Sequence, residues 1–296
     1  MKNYIHSDLA LESSYALRRK ISHAPEYSEK TRGELKVCRL DINTPALSKK
    51  YNRNMGTYIT VICGKMWLFS EEQLDSAVET IGDELREMLH RVTEKEINES
   101  FSVLVVGLGN AEITPDSIGP LTVSRLTVTR HVNDISPNIF QSLGQCTVSA
   151  ISPGVLAQTG IETVELIKGA VSSIRPDAVI AVDALASRSC ERLAATVQIS
   201  DDGINPGSGI GNLRKGINRK NLGVPVIALG VPTVVDSATL VYDALEKAGI
   251  TDVGDSLRKV LDNGRGFFVS PKESDVIADS VGHLLARSLD SAFRAL

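Results

Sequence analysis

The chain has 296 residues, 42% of them hydrophobic and 23% charged, ordinary values for a globular protein with a sizeable core. A formal net charge of -4 excludes a protein that coats nucleic acid through clustered Lys and Arg, so no direct nucleic-acid partner is expected. No apolar run approaches the roughly 20 residues that span a bilayer, and residues 1–10 lack the apolar core of a signal peptide, so a soluble, intracellular chain is predicted.

Residues 1–33 are polar and without sustained periodicity and read as an extended or mobile arm. The alternating segments Glu34–Ile42 and Thr57–Cys63 follow, joined by the polar, turn-rich stretch 49–56, which predicts an antiparallel pair. Ser70-Glu-Glu-Gln73 has the form of a capping box, and Leu74, Val78, Ile81, Leu85, Met88 and Val92 recur behind it at helical spacing. A helix over about 71–93 is predicted.

From residue 101 onward strands alternate with helices. Strands are predicted at 103–106, 147–151, 178–182, 195–199 and 224–229, with helices near 116–130, 160–174, 234–247 and 272–294. Arg175-Pro-Asp177 is a break, 200–222 reads as a long Gly-rich loop, and 249–266 as a mobile connection. Helices between apolar strand runs predict an α/β fold, a mainly parallel sheet covered on both faces, with an N-terminal antiparallel extension. A boundary falls near residue 97, although both parts can share one sheet.

Two aspartates stand out. Asp116 lies in Thr114-Pro-Asp-Ser-Ile-Gly-Pro120, just after the strand and loop Ser102–Asn110; Asp183 closes Ala178-Val-Ile-Ala-Val-Asp183. Ligands in open α/β sheets bind beyond the carboxyl ends of strands, and two carboxylates there can share a proton or a metal. Taken singly, each is more readily a helix N-cap than a catalytic group. Glu162 and Asp236, also just beyond predicted strands, are secondary candidates whose simpler role is to favour a helix dipole. His131 ends the helix predicted after Asp116, and His6, His23, His90 and His283 show no metal-ligand spacing.

Other motifs fail. Gly107-Leu-Gly-Asn110 follows a strand, but Glu112 stands where a dinucleotide fingerprint needs its third Gly. The loop Gly207–Lys215 is not a P-loop, and no Ser-His-Asp arrangement can be named. Cys38, Cys63, Cys146 and Cys190 are widely spaced, as for reduced, half-buried thiols. No cofactor is expected, and a divalent metal at the Asp pair stays open.

The motifs Gly107–Asn110, Thr114–Pro120, Thr127–His131, Ser152–Val155, Thr159–Thr163 and Val182–Ala186 together resemble the germination protease family of endospore-forming bacteria. Gln198–Asp201, Pro206–Asn212, Gly223–Ala228, Gly230–Asp236 and Phe268–Glu273 extend the resemblance, dense over roughly 100–275. It implies a fold like that of hydrogenase maturation endopeptidases (a phosphorylase/hydrolase-like sheet) and an atypical aspartic-type endopeptidase. The catalytic pair would be Asp116 and Asp183, although the family has also been classed with metallopeptidases.

The substrates implied are the small acid-soluble proteins of the dormant spore, in the cytoplasm of the forespore or spore core. The resemblance also implies a homotetramer made as a self-processing zymogen. Ser7-Asp-Leu-Ala-Leu-Glu12 has the shape of the family's cleavage site, which predicts processing between Asp8 and Leu9. The chain then divides into a propeptide, 1–8, an N-terminal arm, strand pair and helix, 9–96, and a catalytic α/β core, 97–296. Backbone N–H groups of Gly107, Gly109 and Asn110 are candidates to stabilise an oxyanion, from their loop position alone, and the 200–222 loop to form one wall of the substrate groove.

Overall fold

The computed structural model describes residues 7–13, 24–206, 215–250, 254–263 and 266–295. Among these residues nine strands form one sheet: β1 Tyr27–Arg32, β2 Leu35–Ile42, β3 Gly56–Ile62, β4 Ser102–Gly107, β5 Thr147–Ile151, β6 Ala178–Ser187, β7 Thr196–Ser200, β8 Val226–Asp236 and β9 Phe268–Val269. The order is β1-β2-β3-β7-β8-β6-β4-β5, with β9 on the end of β8. The run β8-β6-β4-β5 is parallel, whereas β7, β3, β2 and β1 add to it antiparallel. The fold is therefore α/β with a parallel centre and an N-terminal antiparallel extension, joined through the β3–β7 ladder.

Strand periodicity explains the layering. On β4, Val103 and Val105 join one apolar cluster, while Leu104 and Val106 join another on the opposite face. Such a strand is buried twice, which is why it reads as an unbroken apolar run. The first face is covered by helices Glu71–Thr93 and Ser274–Ala292, through residues such as Ile81, Leu85, Leu285 and Leu289. Each such side chain, fully buried, contributes about 1.5–3 kcal/mol. The second face carries helix Thr163–Ile174 at one end, and a separate cluster of Leu40, Ile42, Tyr51 and Tyr58 under helix Pro45–Tyr51 at the other.

Helix Glu71–Thr93 forms as its capping box predicts: Ser70 Oγ accepts the Gln73 N–H, and Gln73 Oε1 accepts the Ser70 N–H. Elsewhere tertiary contacts moved the boundaries. The arm expected over 1–33 contains β1, which pairs along its whole length with β2, and its residues 9–12 are buried. The stretch expected to turn over 49–56 begins inside helix Pro45–Tyr51, closed by Asn52 in the left-handed region.

The helix expected over 116–130 is broken into Ile118–Arg125 and Arg130–Ile135. Between them Thr129 bonds along β5, its N–H to Val148 O and its hydroxyl to Cys146 O, which a continuous helix would forbid. His131 consequently opens a helix instead of ending one. The helix expected from 160 begins at Thr163, after the short turn Leu156–Thr159 and Gly160 in the left-handed region. The connection expected over 249–266 contains helix Asp255–Asn263. Strands β6 and β8 outrun their apolar cores because they pair with each other as far as Ser187 and Val235, across a bulge at Leu185/Ala186.

Candidate active site

The interrupted helical cover on the second face leaves a cavity of about 1040 Å³ between its two apolar clusters. Pro45, Ser48 and Asn52 line one side, and Gly154, Val155 and Thr163 the other. Its floor comes from the sheet. Asp183 on β6, Gly230 on β8 and Gln198 on β7 form one cross-strand row, and Ala228 and Ser200 the next. Side chains in register share a face, so these residues look into the same space.

Asp116 and Asp183 both line this cavity. Neither is a helix cap. Asp183 lies inside β6 rather than at its end, is only 6% exposed, and accepts the Ala184 N–H at 2.9 Å. Asp116 ends the one-turn 3-10 helix Thr114–Asp116, and Ser117 takes the cap position of the following helix. The Asp116 carboxylate instead turns back and accepts the Asn110 N–H at 2.7 Å. Of the loop Gly107, Gly109 and Asn110, the last N–H is thus engaged by a carboxylate.

Glycines seat the segment that bears Asp116 against the backbone next to Asp183. A Cβ on Gly119, three residues after Asp116, would lie 2.2 Å from Leu108 O and 2.6 Å from Val182 O. The helix bearing Gly119 therefore rests directly on the backbone that precedes Asp183. Gly109, at φ +108°, lies so close to Asp116 that a Cβ would be 2.0 Å from its carbonyl oxygen. Gly119 was legible only as a small residue in Asp116-Ser-Ile-Gly-Pro120.

The secondary candidates are not assembled here. Asp236 is an N-cap, accepting the N–H and hydroxyl of Thr239, and Glu162 precedes helix Thr163–Ile174; neither lines the cavity. Among the described residues no group of three or more His, Cys, Asp or Glu is placed to hold a metal ion. Among the described residues no His or Cys lines the cavity. Burial pushes the thiols of Cys63 and Cys146 up to about 12, which makes them poor nucleophiles. Most of the loop Gly207–Lys215 lies outside the described residues.

Three groups missed in the sequence complete the lining: Asp202, Gln198 and Arg53. The only local signal was the alternation Val197-Gln-Ile-Ser200, which turns Gln198 and Ser200 away from the apolar core. Burial raises the Asp202 carboxyl above its ordinary value, against hydrogen bonds from Ser200, Tyr58 and Asn54 that favour its charge. The folded chain thus keeps the Asp202 proton to higher pH than the unfolded chain does. Its contribution to stability falls as pH rises from the ordinary value of 3.8 through the raised one. Asp202→Asn removes that cost. Between about pH 3 and about pH 7 the difference in thermal midpoint, variant minus wild type, should move in the variant's favour; a difference independent of pH would contradict the shift.

The N-terminal segment enters the cavity at Asp8. Asp8 N–H donates to Ala186 O at 2.8 Å, and its carboxylate accepts the Ala186 N–H at 2.9 Å. Arg53 Nη2 donates to the carbonyls of Ser7 and Leu9. Leu9 is fully buried, and Glu12 accepts the N–H groups of Arg188 and Ser189 with Arg192 nearby. The cleavage site expected from the sequence therefore lies against the strand that carries Asp183.

Comparison with known proteins places the whole chain among one set of relatives. A family model described as germination protease matches residues 12–259. The chain is 38% identical over 316 residues to a germination protease of Clostridium perfringens (strain 13 / Type A), covering 98% of this chain and 95% of that one. It is 37% identical over 317 residues to a germination protease of Caldanaerobacter subterraneus subsp. tengcongensis, covering 98% and 94%. A germination protease of Bacillus pumilus is 45% identical over 195 residues, 66% of this chain and 52% of that protein.

Proposed function

The chain belongs to the germination protease family and is an endopeptidase, and from that membership we propose that it cuts small acid-soluble spore proteins at germination, with Asp116 and Asp183 as its catalytic pair. The observation that carries this reading is that both carboxylates line one cavity, which the chain's own Ser7–Glu12 segment enters.

One carboxylate, ionised, takes a proton from water as the water oxygen bonds to the scissile carbonyl carbon. The other, protonated, gives its proton to the leaving nitrogen as the C–N bond breaks, so the products are a carboxylic acid and an amine. Two acids that line one cavity suit this exchange when one is ionised and the other protonated as the reaction begins. The Asn110 N–H on Asp116 and the Ala184 N–H on Asp183 orient the two groups.

The same reading makes residues 1–8 a propeptide removed at Asp8–Leu9. Asp8 would occupy the cavity in the uncut chain and vacate it afterwards. The enzyme would act as a homotetramer in the cytoplasm of the forespore or spore core; no helix among the described residues is long and apolar enough to cross a membrane.

Protein held under mildly acidic conditions should lose its first eight residues and show Leu9 as the new N-terminus by intact mass and N-terminal sequencing. The Asp183→Asn protein should keep Met1. Wild-type protein that retains Met1 throughout would count against the zymogen reading.

A further inference from the structure

The Gln198 side chain bridges the backbone from Asp8 to Ala10, across Leu9. Its Nε2 donates to the Asp8 carbonyl oxygen at 3.0 Å, and its Oε1 accepts the Ala10 N–H at 2.7 Å. One amide therefore holds the carbonyl of the Asp8–Leu9 bond and the N–H of the next peptide bond, either side of Leu9, as a neighbouring parallel β-strand would. Both contacts are to main-chain groups, which every peptide carries. The residue is only 8% exposed and stands in the same cross-strand row as Asp183, with Gly230 between them. Arg53 and Ala186 hold the same segment from its other sides, so Gln198 is presented to the bond by a rigid strand within a buried setting.

We propose that Gln198 is a catalytic residue that seats the scissile bond of substrates. Nε2 holds the carbonyl oxygen while that oxygen takes up negative charge, and Oε1 aligns the chain through the amide of the second residue beyond the cut. This rests on the reading of Asp8–Leu9 as a bond the enzyme cleaves. A donor already aimed at the oxygen that becomes an oxyanion lowers the barrier, because it need not reorganise as charge develops. Release of residues 1–8 frees Nε2, which holds Asp8 O, and Oε1 opens to an incoming peptide when the new N-terminus takes Ala10 out of the cavity.

The test is steady-state cleavage by the full chain of a peptide containing Ser-Glu-Ile-Ala-Ser-Glu, which has the same order of hydroxyl, acid, large apolar residue, Ala and closing acid as Ser7–Glu12. Gln198→Glu keeps the acceptor and loses the donor, so kcat should fall about 100-fold, in the range for removal of one oxyanion donor, with little change in KM. Gln198→Leu loses both groups and should also raise KM. A residue that only supports the fold would instead lower thermal stability and leave the kcat of the remaining folded enzyme unchanged.

A substrate-side arm needs no variant to fold. Replacing the amide between the first and second residues after the cut by an ester removes the N–H that Oε1 accepts. With wild-type protein this should raise KM about tenfold, the loss of one hydrogen bond at the upper end of its usual net contribution. Gln198→Glu at wild-type kcat, or an ester peptide handled as well as the amide, overturns the assignment while leaving the protease reading intact. Wild-type protein that cuts neither the peptide nor its own N-terminus overturns both.

Discussion

Replacing Asp183 by Asn is expected to leave a folded protein that cuts its peptide at least about 1,000-fold more slowly, within the range for losing a positioned acid or base. The side chain is almost completely buried within β6, where a change of shape would be costly. Asn has the same shape, and its amide oxygen can still accept the Ala184 N–H that Asp183 accepts. The ladder around it, Val182 with Leu229 and Ala184 with Val231, involves only backbone. What disappears is the ability to hold or release a proton.

The same logic applies to Asp116→Asn, whose amide oxygen can keep the Asn110 N–H. Kinetics on the Ser-Glu-Ile-Ala-Ser-Glu peptide, with thermal midpoints to show that folding is intact, decide the matter. Near-normal turnover by either variant would remove the pair from the mechanism.

Gly119→Ala is expected to lower stability by about 1–3 kcal/mol or more, as overpacking does, and to cut activity by about 100-fold even where the protein stays folded. The argument is steric. Gly119 lies inside helix Ile118–Arg125, where Ala on propensity alone would be favoured by about 1 kcal/mol. The added methyl would lie 2.5 Å from Leu108 N and 2.6 Å from Val182 O, the two atoms of one hydrogen bond joining the loop after β4 to β6. Backbone on both sides has nowhere to go.

Relief requires the helix to lift, and with it Asp116, away from the strand that carries Asp183. A displacement near 1 Å is enough for a loss of that size. Gly169→Ala is the control: it lies in helix Thr163–Ile174 with nothing within 4 Å of the added Cβ, and should gain stability. Urea denaturation of both variants, with peptide kinetics, separates the two effects. Equal gains in stability at both sites would show that the close contact at Gly119 is tolerated.

The two expectations differ in what made them legible. Asp116 and Asp183 could be singled out as an acidic pair after apolar strands, because strand burial and residue type are local properties. The capping box and 3.6-residue spacing likewise placed helix Glu71–Thr93 at its observed bounds, since each cap bond spans only three residues. Strand ends were less legible. β6 appeared to stop at Asp183 because its apolar run stops there, yet pairing with β8 carries it on to Ser187. Thr129 reads as an ordinary helix residue until β5 lies beside it and takes its N–H and hydroxyl.

By itself, the sequence determined the alternation of strands and helices, the parallel centre of the sheet, and two acids that follow its apolar strands. These follow from side-chain polarity and spacing along a few consecutive residues. Only the tertiary structure decided that Asp116 and Asp183 line one cavity, that Glu162 and Asp236 stay outside it, and that Gln198 and Asp202 belong to it. The physical reason is that these meetings depend on contacts between residues far apart in the chain. Gly119 on the Val182 backbone and the Gln198 amide across Leu9 are two such contacts, and no local pattern encodes them.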